Sequence, residues 1–181
     1  MVKNLMKKII LLLFVISGCS SERPEQVVPL NGNWDTYMGD PGRSHYSHLS
    51  EINHDNVAQL ELAWSYDSGE LREGNSSMYT SPLIVDGILY GLSPKLVAFA
   101  LNAATGEEIW RSDYDGPGAA QRGLMWWQEG DDRRIFYPAG RELIALHAET
   151  GKAVASFGRN GRVDLRPQDK EVPFCTSVPG I

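Results

Sequence analysis

Ala100-Leu-Asn-Ala-Ala-Thr-Gly-Glu-Glu-Ile-Trp110 and Ala145-Leu-His-Ala-Glu-Thr-Gly-Lys-Ala-Val154 are two copies of one unit, offset by 45 residues. In each, an apolar strand ending at Leu101 or Leu146 runs into a Thr-Gly turn. Glycine belongs there because a tight turn of this kind needs a positive φ, which other residues adopt only with strain. The strand after the turn carries a bulky residue, Trp110, expected to dock on the next unit. Trp64 precedes Trp110 by 46 residues, so the tryptophans share the spacing. A period of this length, with several short strands per repeat, is the signature of propeller blades.

The surrounding sequence agrees. Residues 63–66, 82–85, 88–92 and 97–101 are short aliphatic and aromatic runs separated by turn residues, which predicts strands. Asp86-Gly87 lies between two of them as a two-residue hairpin turn. Only residues 53–62 predict a short helix, capped by Asn53 or Asp55. The fold expected is all-β, a partial β-propeller holding its first two to three blades. One outer strand lies around Trp64, one blade spans residues 81–112, another spans 123–157, and a third begins at 176–181. Closure needs about four to eight blades, so the chain reads as a fragment without activity of its own.

The N-terminus sets the compartment. Lys3, Lys7 and Lys8 precede an unbroken apolar run over residues 9–16, too short to span a bilayer, which is the order of a secretory signal. Ile16-Ser17-Gly18-Cys19 resembles a bacterial lipobox, with Cys19 as the lipidation site. This divides the chain into a lipoprotein signal peptide (1–18), a polar tether (19–33) and the propeller part (34–181). The expected location is the periplasm, on a membrane through the lipid; Ser20 in place of an acidic residue slightly prefers the outer membrane. Cleavage removes three lysines and no acid, taking the formal charge from −6 to −9. That acidity excludes nucleic acid as a partner, since phosphate binding needs a basic surface. Cys175 is then the one remaining cysteine, so no disulfide can form within these residues.

Several stretches together resemble the pyrroloquinoline-quinone (PQQ) dependent glucose and alcohol dehydrogenases. The opening segment Trp34-Asp-Thr-Tyr-Met-Gly-Asp through Ile52-Asn-His-Asp-Asn-Val to Ala63-Trp64 is similar to the family's first segment. Ser81-Pro-Leu-Ile-Val-Asp-Gly-Ile-Leu-Tyr90 resembles its first-blade hairpin, and Arg122-Gly-Leu-Met-Trp-Trp127 its Arg-Gly-x-x-aromatic-Trp segment. Phe157-Gly-Arg-Asn-Gly-Arg-Val-Asp-Leu-Arg166 and Thr176-Ser-Val-Pro179 fit as well. The resemblance implies an eight-bladed propeller with PQQ and Ca²⁺ in the axial funnel. It further implies oxidation of a sugar, polyol or alcohol there, with ubiquinone or a cytochrome c taking the electrons. In that arrangement the Trp64 strand completes the last blade.

The same resemblance names the site residues. Arg122 matches an arginine that reaches the cofactor, a role suited to a planar fork that binds carboxylate in bidentate fashion. Thr176 matches a threonine that hydrogen-bonds the cofactor. Tyr79 stands where the family often has a cofactor-binding glutamate, so a phenol offers one hydrogen bond and no charge. Gly116-Pro-Gly-Ala-Ala120 replaces the disulfide or histidine that some members place above the cofactor. The catalytic base and the Ca²⁺ ligands of the family fall beyond Ile181. Trp126 and Trp127 read as propeller packing, Arg133 and Arg134 as a solvated hairpin tip. His45, His48, His54 and His147 have no metal-ligand spacing.

A second reading is a non-catalytic propeller lipoprotein, a scaffold of the outer-membrane assembly type, which shares the anchor and the Thr-Gly turns. Either reading keeps the lipid. Cys19→Ser should leave a soluble or uncleaved form, checked by fractionating cells; unchanged membrane association of that variant would remove the anchor.

Overall fold

The computed structural model describes residues 32–70, 77–116, 121–166 and 179. Cys19, Cys175 and Thr176, with the signal peptide and nearly all of the tether, lie outside the described residues. Two four-stranded antiparallel sheets follow one another along the chain, each a meander in sequence order. The first contains β1 (Leu83–Val85), β2 (Ile88–Leu92), β3 (Ala98–Asn102) and β4 (Glu108–Arg111). The second contains β5 (Met125–Glu129), β6 (Asp132–Ala139), β7 (Glu142–His147) and β8 (Arg162–Asp164). Both are propeller blades. Asp86 and Gly87 turn β1 into β2 with φ of 50° and 78°, the two positive values a tight hairpin turn needs.

One apolar core runs through both blades. Leu83, Val85, Tyr90, Leu92 and Ala100 from the first meet Leu124, Ile135, Tyr137, Ile144 and Leu146 from the second. Tyr90, 3% exposed, sits in the seam with its ring 6.1 Å from Trp110 and 5.6 Å from Trp126. Trp126 is thus packing between blades, as expected. Trp127 is not: it faces outward beneath the Arg134 guanidinium, whose carbon lies 5.0 Å from the ring. The arginine pair is a second correction, because it is no solvated tip. Arg133 reaches across the seam to Asp86 at 3.4 Å, and Arg134 pairs with Asp132. Asp86 is held from the other side by Asn33, whose amide nitrogen donates at 3.3 Å.

The repeated tryptophans fix how each blade meets its neighbour. Trp110 Nε1 donates to the carbonyl of Ala148 at 2.8 Å, and Trp64 Nε1 donates to the equivalent carbonyl of Ala103 at 3.1 Å. Each indole lies flat on a Thr-Gly turn. A Cβ on Gly106 would come within 2.6 Å of the Trp64 ring, and one on Gly151 would overlap the Trp110 ring. Both glycines also hold positive φ, 74° and 66°.

Residues 63–66 form no strand ladder among the described residues, against expectation. They run as an extended strap whose side chains hold it on the first blade. The Tyr66 ring stacks on Phe99 at 4.8 Å, and its hydroxyl donates to Glu108 at 2.6 Å. Arg111 then donates to the Tyr66 oxygen and to the Ser68 carbonyl. At the far end the buried carboxylate of Glu70 accepts from Ser93 Oγ and from the Lys95 amide, both at 2.8 Å. The helix expected over 53–62 reduces to one 3₁₀ turn, Val57–Gln59. Val57, Leu60 and Leu62 are exposed there, so no packed apolar face stabilises a longer helix.

The second blade extends past residue 157 to Asp164. After the Thr150-Gly151 turn, Ala153 makes a single bridge to Leu146. The chain then loops out and resumes the edge as β8, paired with Glu142, Leu143 and Ile144. Phe157 in that loop packs edge-on against Phe136 at 5.3 Å. The position 45 residues after Trp110 is Ala155, and the repeat breaks where it lacks an indole to dock.

Two measurements check this account. Gly106→Ala or Gly151→Ala combines left-handed strain with overpacking and should cost roughly 2–4 kcal/mol, read from denaturant midpoints; unchanged midpoints contradict it. Burial first, and the hydrogen bond to Glu108 second, push the Tyr66 phenol from 10.0 up to about 12. The neutral phenol therefore stabilises the fold fully below pH 10, and this stabilisation is lost as pH rises toward about 12. Alkaline unfolding should be steeper in the wild type than in Tyr66→Phe; identical profiles contradict the assignment.

Candidate functional site

The two blades meet at their innermost strands. Ser81, just before β1, forms a parallel bridge with Gly123, just before β5, and the Ser81 amide donates to the Arg122 carbonyl at 2.7 Å. Residues 79–82 and 121–124 therefore start their blades side by side, at one end of the propeller axis. This places Tyr79 and Arg122 at the same mouth. Both side chains are exposed, Tyr79 by 61%. Between them, the Thr80 hydroxyl is buried with no hydrogen-bond partner among the described residues.

Arg122 is anchored from its backbone. Gln121, 3% exposed, and Leu124, fully buried, flank it and leave the guanidinium outside. Upstream, Ser112 closes β4 onto β3: its amide donates to the Ala98 carbonyl, and its hydroxyl accepts from the Ala98 amide at 2.9 Å. Tyr114 follows, edge-on to Tyr137 at 6.5 Å and under Arg162; burial raises its phenol above the usual value.

Most of the described arginines are paired with a carboxylate, and Arg122, Arg43 and Arg159 are the exceptions. Arg111, Arg133, Arg134, Arg141, Arg162 and Arg166 each have a carboxylate within 4.0 Å. Arg122 has none among the described residues. An exposed guanidinium with no carboxylate partner among the described residues, on the same mouth as a phenol and a buried hydroxyl, suits an anionic, hydrogen-bonding ligand. The tricarboxylate PQQ fits that donor set. Thr176 and residues 117–120 lie outside the described residues. Among the described residues no group of three or more His, Cys, Asp or Glu side chains could hold a metal ion.

A groove of about 530 Å³ opens beside the site, between the opening segment and β1. Trp34, Met38, His45, His48, Thr80 and Ile84 are among its walls. Thr80 was not singled out by sequence motif, and the opening segment stood out as a resemblance without a site residue assigned to it. The signal available was the Gly after Arg122, whose φ is not positive and which therefore marks a close approach rather than a turn.

Two consecutive four-stranded blades, joined at their inner strands beside Arg122, define a segment of a β-propeller. Residues 34–179 match the family described as glucose/ethanol/alcohol dehydrogenase, beta-propeller domain, of the PQQ type, and the chain belongs to that family. It is 35% identical over 134 residues to the dehydrogenase subunit of the quinone alcohol dehydrogenase of Gluconobacter oxydans (strain 621H), covering 69% of this chain and 17% of that protein. The glycerol dehydrogenase large subunit of Gluconobacter thailandicus is 32% identical over 171 residues, with 84% and 22% covered. Among solved structures, the quinohemoprotein alcohol dehydrogenase of Comamonas testosteroni superposes with a TM-score of 0.60 at 31% identity, covering 72% of this chain and 19% of that one. The chain thus spans about a fifth of the length of the relatives it matches.

Proposed function

We propose that this chain forms the first blades of a PQQ-dependent dehydrogenase that oxidises a sugar, polyol or alcohol and passes the electrons to a quinone or cytochrome c. The Arg122 guanidinium at the mouth of the axis, with no carboxylate partner among the described residues, is the observation that carries this reading. Relatives named as alcohol, glycerol and glucose dehydrogenases support the substrate class; one is a 1-butanol dehydrogenase named with cytochrome c. When bound, PQQ supplies an ortho-quinone that accepts two electrons from the substrate's carbinol carbon.

Within this reading the residues present have separate tasks. Arg122 binds a cofactor carboxylate with its fork, Tyr79 offers a neutral hydrogen bond beside it, and Thr176 offers another from the next blade. A Ca²⁺ ion completes the cofactor set. The protein works in the periplasm, held to the membrane by lipid on Cys19 after the signal peptide is removed.

The test uses the full-length protein, freed of PQQ and titrated with it. Losing one partner of a buried charged hydrogen bond costs about 2–5 kcal/mol, or roughly thirtyfold to several thousandfold in affinity. Arg122→Ala should show a loss of that order. Arg122→Lys should recover only part, because a point charge lacks the fork. Equal PQQ affinity in all three proteins overturns the role of Arg122, and no PQQ binding by any of them overturns the enzyme in favour of a scaffold.

A further inference from the structure

We infer that Tyr37 is a positioning residue for Arg122: its ring clamps the Arg122–Gly123 backbone from the axis side and sets the direction in which the guanidinium leaves the second blade. The inference rests on the reading of Arg122 as a cofactor ligand.

Tyr37 belongs to the opening segment, which lies along the free edge of β1. The Trp34 amide donates to the Ile84 carbonyl at 2.6 Å, and the Ile84 amide returns a bond to the Trp34 carbonyl at 3.0 Å. The segment is therefore inside β1, on the propeller axis. Its local shape is fixed without help from the second blade. The Gly39 amide donates to the Thr36 carbonyl at 2.9 Å and the His45 amide to the Met38 carbonyl at 3.0 Å. The Trp34 ring closes the turn, passing within 2.7 Å of where a Cβ on Gly39 would stand.

From this turn Tyr37 crosses to the second blade. It is 6% exposed. A Cβ on Gly123 would stand 2.9 Å from its Cδ2 and 3.3 Å from its Cε2, and 3.1 Å from the Ser81 carbonyl oxygen. The residue following Arg122 is thus wedged between an aromatic face and a backbone oxygen. Ser81 also holds the Arg122 carbonyl through its amide. The Arg43 guanidinium, 5.4 Å above the Tyr37 ring, covers it on the outside. Among the described residues the contact Tyr37 makes with Gly123 is made by its ring.

A guanidinium binds two carboxylate oxygens only if its plane and approach are set, and misplacement by a fraction of an ångström removes the bidentate geometry. Clamping the backbone on both sides of the Arg122 carbonyl reduces the freedom that ligand binding must otherwise remove. Removing the ring should weaken cofactor binding through Arg122 and through no other ligand.

The experiment is a double-mutant cycle in the full-length protein, with PQQ affinity measured by quenching of tryptophan fluorescence and the thermal midpoint of the PQQ-free protein measured alongside. Tyr37→Leu should weaken PQQ binding by about tenfold in the wild type and by less than about twofold in the Arg122→Ala background, the non-additivity of residues acting as a unit. Tyr37→Phe keeps the ring and should bind within about twofold of wild type. Equal losses from Tyr37→Leu in both backgrounds reveal a structural role only and overturn the proposal, as does an unaltered affinity. Arg122→Ala without effect on its own overturns the ligand reading first, and this inference with it. If Tyr37→Leu does not fold, Gly123→Ala, whose methyl displaces the ring, must show the same coupling to Arg122; additive losses there also overturn it.

Discussion

An indole lying flat on a glycine turn holds this structure in register. The contact works because three conditions coincide at Gly106 and again at Gly151: a left-handed φ, no Cβ beneath the ring, and a carbonyl one turn back that accepts the indole N–H. Remove any one and the next blade loses its seat. The core depends on that seating. Tyr90 can lie between Trp110 and Trp126, and Ile135 and Tyr137 can be fully buried, only when the two sheets meet at one fixed angle. The Asp86–Arg133 pair then latches the seam at its hairpin end. Its partners are more than a third exposed, so it contributes specificity of alignment more than stability.

The site inherits its geometry from the same seam. Ser81 and Gly123 bridge because the inner strands are brought together, and that bridge sets Arg122 beside Tyr79 and Thr80. The propeller leaves its inner edges unpaired around the axis, and the opening segment occupies one of them. The mouth beside the axis is therefore shaped partly by residues 34–37, through the backbone and side chains they hold in place.

Local chemistry in the sequence was enough for much of this. Thr105-Gly106 and Thr150-Gly151 declared their turns, Asp86-Gly87 declared a hairpin, and the spacing of Trp64 and Trp110 declared the repeat. What failed was whatever depended on distant partners. Residues 53–62 carry a helical pattern, but Val57, Leu60 and Leu62 find no surface to cover, so only a 3₁₀ turn forms. Arg133 looked solvated because Asp86 lies 47 positions away in sequence. The outer edge of the second blade could not be traced past Phe157, since the loop that carries Phe157 interrupts the ladder. Around Arg122, the motif stood out in the sequence, whereas the approach of Tyr37 to Gly123 exists only once the blades have met.

The order of the docking pairs along the chain carries a consequence for biosynthesis. Trp64 precedes Gly106, and Trp110 precedes Gly151, by 42 and 41 residues. A polypeptide growing from its N-terminus therefore displays each indole before the turn that will receive it has been made. At about 5–20 residues per second that interval is roughly 2–8 s, during which an aromatic side chain waits uncovered. Each of these two turns therefore arrives to an indole already made, so the docking follows the direction of translation, and a stalled ribosome leaves one sticky tryptophan exposed near the growing end.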